Sequence, residues 1–379
     1  MNILLIPTTD NVINNIKAEY INLAEKGNNI YIITDNNLIN NKIPNEFKKI
    51  DLYLMRLYQK EQLNSMKKFI MTYYLNLYAM HILKEYKIDF MVVSNDNPFV
   101  QNIFVNIAKN LNIKTVLHQA SSISFKPKRI SLLKKIFINI KKVLFNNTSG
   151  LNIGENVDFH LIQGDIWKSY LVKDKSMVIG NSYYRQLSEL SKDIDIKDID
   201  DFKKQFKGKK IVTIFSQPFN EVDKFDFADE TQVKELYDNF IKLGRLNKNI
   251  QFIFKPHPQD KYYKDFDFKD IKVIEKVELN LLLKSSDFTI SCFSTMAIQS
   301  ALLNKVTLGY LPEYFSDAQK NRMKDFFDFT SNNIEILNQT INEYLNGNIQ
   351  KKKHLINSDI VDLSKDTVKI VEDFYQEKK

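Results

Sequence analysis

The 379-residue chain contains one cysteine, Cys292, one tryptophan, nine glycines and eight prolines. A single thiol excludes a disulfide framework and a structural zinc site built on cysteine, and it points to a reducing compartment. Neither a P-loop nor a GxGxxG run occurs, so nicotinamide binding through that fingerprint is unsupported. No stretch reaches the roughly 18 uninterrupted apolar residues that a transmembrane helix needs. The opening MNILLIPTTD lacks a basic leader, and its apolar run is too short for a signal peptide, so it reads as a buried first strand. These absences predict a cytoplasmic protein whose contact with a membrane, at its inner face, is peripheral.

What is present is a large apolar complement: 44% of residues are hydrophobic, enough for a core in each of two domains of ordinary size. The net charge is +8. Because Lys, Asn and Ile recur along the whole sequence and no nucleic-acid motif with its defining spacing is present, the charge is read as compositional bias with attraction to anionic substrates or surfaces, and no nucleic-acid partner is expected.

Strand-length apolar runs alternate with helical periodicity from the first residue, which is the pattern of parallel sheets covered by helices. In the first half the strand-like segments are 2–7, 29–34, 51–55, 90–94, 114–118 and 159–163, with helices at 12–26, 61–86 and 99–111. Residues 126–145 form a basic amphipathic segment that could pack on its own domain or lie on a membrane. The apolar pattern lapses between 187 and 209, which reads as a linker, with a surface helix as the further expectation. It resumes with strands at 211–216, 251–255, 271–275, 288–291 and 306–310 and helices near 231–243, 279–285, 295–303 and 318–326. The expected fold class is therefore α/β, with an N-terminal Rossmann-like domain over 1–186, a second over 210–335, and C-terminal helices over 336–379 that return to the first. Two such domains face each other across a cleft, and ligands of open α/β sheets sit beyond the carboxyl ends of the strands.

Two segments at strand ends carry the chemistry. In FIFKPHPQ (252–259), Pro256 and Pro258 bracket His257 and fix the backbone where the strand ends in Lys255. A Lys and a His at that place can donate hydrogen bonds to a phosphate, although a surface histidine in a Pro-rich turn is the simpler reading. In DFTISCFSTMAIQSALL (287–303) a strand runs into a turn with Ser291, Ser294 and Thr295 and then opens a helix. Its unpaired N–H groups can cradle an anion while Ser294 caps the helix.

KPHP followed about thirty residues later by SxxST resembles the paired C-domain motifs of bacterial surface-polysaccharide transferases of the two-Rossmann GT-B class. These include capsular sialyl- and Kdo-transferases and CDP-glycerol glycerophosphotransferases. GDIW (164–167), VIGNS (178–182) and IFSQP (214–218), the last containing Ser216 and Gln217, are supporting echoes. The resemblance implies that His257, Ser294 and Thr295 contact the donor's phosphate and nucleotide, with Lys255, Pro258, Ser291, Ser216 and Gln217 lining the same site. Where many sugar-nucleotide transferases place a ribose-binding carboxylate, Gln299 stands here, which weakens a UDP-sugar donor and favours a CMP-linked acid sugar.

The acceptor hydroxyl needs a base, and the two candidates follow N-terminal strands: His118, whose ordinary pKa suits the task, and Asp96, which would need burial. No metal or further cofactor is expected; Asp265 and Asp267 have DxD spacing but read as solvated charge, and His81, His160 and His354 as structural. The implied activity is transfer of a sugar from a nucleotide donor to a surface-glycan hydroxyl, on a free or lipid-linked acceptor. The alternatives are a CDP-glycerol-type phosphotransferase, a non-hydrolysing sugar-nucleotide epimerase and a non-catalytic partner in capsule assembly.

Overall fold

The structure is a computed structural model that describes all residues except 8–9, 35–42, 53–64, 95–98, 121–155, 171–174, 193, 218–229, 259, 261, 293, 316–319, 321–323 and 352–365. The chain divides into two compact units, Met1–Arg185 with Ser358–Lys379, and Gln186–Asn357.

The first unit holds a seven-stranded sheet in the order β3-β2-β1-β4-β5-β6-β7. Its strands are β1 (Asn2–Ile6), β2 (Asn29–Thr34), β3 (Lys48–Asp51), β4 (Phe90–Val93), β5 (Lys114–His118), β6 (Phe159–Ile162) and β7 (Ser176–Val178), all paired in parallel. The helices are α1 (Asp10–Glu25), α2 (Ser65–Glu85) and α3 (Phe99–Asn110). Strands covered on both faces read as continuous apolar runs, which is why β1, β2, β4 and β5 fall where the alternation puts them. The third strand is Lys48–Asp51 rather than the apolar run expected at 51–55, of which residues 53–55 lie outside the described residues. As an edge strand it buries only Ile50, so hydrophobicity does not mark it.

α4 (Ser182–Lys192) spans the boundary between the units. The 187–209 stretch, expected to be a linker with a surface helix, contributes α5 (Ile196–Lys204), capped by the Asp195 carboxylate on the Lys197 N–H at 2.9 Å. Phe202 and Phe206 from this segment are buried in the core of the second unit, with Ile211, Phe215, Ile253, Leu282 and Leu283. Phe202 on the helix and Phe206 just past its end suffice to dock so polar a segment.

The second sheet runs β10-β9-β8-β11-β12-β13. Its strands are β8 (Lys210–Phe215), β9 (Ile250–Lys255), β10 (Ile271–Val273), β11 (Phe288–Ser291), β12 (Val306–Tyr310) and β13 (Phe329–Ser331), again all parallel. The helices are α6 (Glu230–Leu246), α7 (Leu279–Ser285), α8 (Met296–Leu302) and α9 (Ile334–Leu345). α9 packs on α6, β12 and β13, so this part of the C-terminal region belongs to the second unit rather than returning to the first. The last helix, α10 (Thr367–Lys378), packs on α1 in the first unit.

A repeated device sets the strand register. Asp89, Asp158, Asp287 and Asp328 each directly precede a phenylalanine that opens a strand. Their carboxylates accept the N–H of Asn2, Thr115, Ile211 and Thr307 in the neighbouring strand at 2.7–2.8 Å. Each aspartate's own N–H returns to the carbonyl of the same residue at 2.8–3.0 Å. With glycine scarce, helices end on whatever residue tolerates positive φ: Gly27 (φ 85) closes α1, while Lys87, Asn112 and Asn304 do the same work after α2, α3 and α8. Asn bears this conformation at little cost and Lys87 at more.

Candidate functional site

Both sheets have the doubly wound order in which the chain reverses direction between two central strands, and ligands of such sheets bind beyond the carboxyl ends at that point. In the second unit the reversal lies between β8 and β11. The register sets Phe215 of β8 beside Ser291 of β11 on one side and Lys255 of β9 on the other. Ser216, His257, Cys292, Ser294 and Thr295 therefore all lie just past adjacent strand ends. The Ser216 N–H extends the ladder to the Lys255 carbonyl at 3.1 Å.

In the Pro-His-Pro turn the flanking prolines carry no N–H, leaving that of His257 as the donor, and it goes to Ser216 Oγ at 2.8 Å. His257 is half-buried and Pro258 exposed. The His257 carbonyl accepts the Asp260 N–H at 2.9 Å. Asp260, which no sequence motif marks, is 3% exposed. Its carboxylate accepts from the Ser216 hydroxyl at 2.5 Å, from the Tyr237 hydroxyl and from the Tyr262 N–H at 3.2 Å. Burial raises its pKa against the lowering effect of these donors.

Lys255 is engaged within the protein. Its ammonium donates to the carbonyls of Glu275 at 2.9 Å and Pro256 at 3.2 Å, and burial holds its pKa below the ordinary lysine value. It clamps β9 to the segment after β10. The Ser216 hydroxyl, expected to face the donor, is likewise engaged by His257 and Asp260. Gln217 is buried beside it.

Ser291 is buried at the end of β11. Ser294 Oγ accepts the Met296 N–H at 3.2 Å, while Thr295, the N-terminal boundary residue of α8, makes no cap with its side chain. Gln299 is 7% exposed, and its Oε1 has no hydrogen-bond partner among the described residues. A buried amide oxygen without a donor costs roughly 1–3 kcal/mol, which a bound ligand's hydroxyl or amino group would recover. Cys292 is buried, and burial pushes its thiol pKa up, so it is a core group rather than a nucleophile. Asp267 pairs with Lys269 at 3.0 Å, both exposed, as expected of solvated charge.

In the first unit the two candidate bases fare differently. His118 ends β5 but is only 2% exposed, and its Nδ1 lies 3.0 Å from the Tyr20 hydroxyl, itself 3.1 Å from that of Tyr375. Burial lowers its pKa to about 3. An imidazole enclosed in this way stays neutral at ordinary pH. Asp96 lies outside the described residues, as does the basic segment 126–145.

Glu19, in the middle of α1, is a titratable group that sequence reasoning missed. It is 1% exposed, its Oε1 accepts the Ser182 hydroxyl at 2.6 Å, and its Oε2 has no partner among the described residues. Burial lifts its pKa from 4.5 to about 7. Among the described residues no helix is long and apolar enough to cross a membrane.

Residues 194–373 match the family model described as "Protein of unknown function (DUF354)". No curated protein matches the chain in sequence. Among solved structures, the chain is similar to the UDP-GlcNAc 2-epimerase of Methanocaldococcus jannaschii, determined with UDP-GlcNAc and UDP, at 14% identity and a TM-score of 0.64 over 98% of this chain and 99% of that one. It is similar to a glycosyltransferase from Rickettsia africae at 13% identity and a TM-score of 0.59, over 100% of this chain and 98% of that one. It is also similar to the wall teichoic acid polymerase TagF, determined after soaking with CDPG, at 12% identity and a TM-score of 0.52, over 100% of this chain and 89% of that one. At these identities the likeness establishes architecture: the chain has the fold of the GT-B class, built from two Rossmann-like α/β units.

Proposed function

We propose that the protein is a glycosyltransferase that binds a nucleotide-activated sugar through its second unit and transfers the sugar to a glycan hydroxyl held by the first. The observation that carries this reading is that the His257 turn and Ser294–Thr295 follow the ends of the two strands flanking β8 at the strand reversal of the second sheet, with Gln299, whose buried Oε1 has no partner among the described residues, on the helix that comes next. The fold supports it, because solved proteins of this architecture include a glycosyltransferase and proteins determined with UDP-GlcNAc or CDPG.

In the reaction the acceptor oxygen attacks the anomeric carbon while the bond from that carbon to the donor phosphate oxygen breaks. The acceptor proton passes to a base, and the nucleotide leaves with the electron pair. Hydrogen bonds from the His257 imidazole and the Ser294–Thr295 turn to the phosphate stabilise the charge that develops there. With His118 enclosed, we assign the base to Asp96, three residues past the end of β4 at the reversal of the first sheet. Gln299, neutral where a carboxylate would hold ribose, favours a cytidine donor, a CMP-linked acid sugar foremost. We place the acceptor in surface-polysaccharide synthesis, with a lipid-linked form reached by peripheral contact with the membrane.

A second reading is an epimerase acting on the donor alone, favoured by the likeness to the archaeal UDP-GlcNAc 2-epimerase. One assay separates the two. With CMP-, CDP- and UDP-activated sugars and a mixed glycan acceptor, the transferase releases free nucleotide only when acceptor is present. Inversion of a sugar centre without acceptor would assign the epimerase, and an unchanged donor under both conditions would contradict both readings.

A further inference from the structure

Resting on the nucleotide-binding reading, we infer that the buried Asp260 is a positioning residue, which acts through Ser216 to hold His257 in the geometry that meets the donor phosphate.

The geometry is a closed ring of hydrogen bonds. The Asp260 N–H donates to the His257 carbonyl, the His257 N–H donates to Ser216 Oγ, and the Ser216 hydroxyl donates back to Asp260 Oδ2. The peptide groups on both sides of the His257 α-carbon are thereby fixed, and the prolines on either side restrict the neighbouring torsions. Asp260 also accepts from Tyr237, which lies on α6 and stacks on Phe266 with ring centroids 4.7 Å apart. One carboxylate thus ties together the end of β8, the middle of α6 and the turn after β9.

Stability alone is a poor account of this arrangement. Burying a carboxylate is costly, and apolar side chains of similar volume commonly replace buried charge at no loss. A fully hydrogen-bonded polar network does impose one geometry on the groups it joins, and the group joined here is His257. Because a hydrogen bond to phosphate depends steeply on distance and angle, loosening the turn weakens that contact even where the fold survives.

The test reads the His257 imidazole directly. Its NMR signal, assigned by its loss in His257→Ala, is titrated with pH in the absence and presence of CMP, CDP, UDP and GDP in turn. In the parent, the bound phosphate is expected to raise the His257 pKa by about one unit. In Ser216→Ala the ring is cut while the carboxylate stays. There that rise should fall below half and nucleotide affinity should drop about tenfold, with Ser216→Thr restoring both. Tyr237→Phe, which removes one donor to the carboxylate and keeps the stacked ring, should give a smaller loss in the same direction and serves if Ser216→Ala is unstable. A purely structural role would lower the melting temperature of these variants yet leave the nucleotide-induced rise at its parental size, which would overturn the inference. A parental His257 that responds to none of the four nucleotides would instead sink the nucleotide reading, and the inference with it.

Discussion

A chain ended at residue 365 is expected to lose the folded state of its first unit while the second remains folded. α10 belongs to the core of the first unit: Val371, Phe374 and Tyr375 are at most 3% exposed and pack with Ile3, Leu5, Tyr20, Ile30 and Val92. Tyr375 meets the Phe90 ring edge-on at 4.8 Å, Phe374 meets that of Phe159 at 5.5 Å, and Thr367 donates its hydroxyl to the Ile179 carbonyl. Burying each large side chain contributes roughly 1.5–3 kcal/mol, so the three together approach the roughly 5–15 kcal/mol by which a domain is stable. The partly exposed Lys26–Glu372 pair adds little. Hydrogen exchange checks the prediction: amides of β1, β4 and β5 should lose protection in the truncated chain, whereas those of β8, β9 and β11 should keep it. Full protection in both sheets would show that α10 is dispensable.

Glu19→Gln is expected to stabilise the first unit above neutral pH and to leave it nearly unchanged at pH 4.5. The sign follows from the raised pKa. Between pH 4.5 and about 7 the unfolded chain releases this proton while the folded chain holds it, so stability is lost as pH rises through that window. A displacement of this size corresponds to about 3 kcal/mol by pH 8. Glutamine keeps an acceptor for the Ser182 hydroxyl and cannot ionise. His118 works in the opposite direction: its pKa of about 3 means that stability is lost as pH falls from 6.5 towards 3. Urea melts from pH 4.5 to 8 should therefore show the variant gaining stability up to about pH 6.5 through His118 and then levelling, while its advantage over the parent widens steadily towards the alkaline end. Parallel profiles for the two proteins would show that Glu19 does not ionise in this range.

What could be read from the sequence was what depends on neighbours along the chain. Central parallel strands are apolar on both faces, so β1, β2, β4, β8, β9 and β11 were visible as runs. The KPHP and SxxST turns were visible because proline and the hydroxyl residues shape backbone locally. Edge strands were harder: β10 was visible, but β7 and β13 are three residues long and only partly buried and were missed, although the Asp-Phe pair at 328–329 carries the same signal as those at 89–90, 158–159 and 287–288. The site's electrostatics were hidden for a different reason. His118 stands at a strand end, where a base belongs, but Tyr20 and Tyr375, from opposite ends of the chain, enclose it. Asp260 sits in a Pro-rich turn that reads as solvated. Its burial comes from Ser216 and Tyr237, 44 and 23 residues away. Lys255 was read as a phosphate contact from its residue type and its place at a strand end, and the two backbone carbonyls that hold its ammonium could not be foreseen from either. Burial and partner choice are set by tertiary packing, which one sequence does not encode in its local pattern.

The central claim is that the second unit binds a nucleotide through the His257 turn, and thermal melting of the parent and of His257→Ala against CMP, CDP, UDP and GDP tests it most directly. A ligand that binds only the native state stabilises it by about 2.7 kcal/mol at a hundredfold excess over its dissociation constant. The account predicts that a cytidine nucleotide raises the melting temperature of the parent and leaves His257→Ala unmoved. Equal stabilisation of both proteins, or no response from the parent to any of the four, would contradict it.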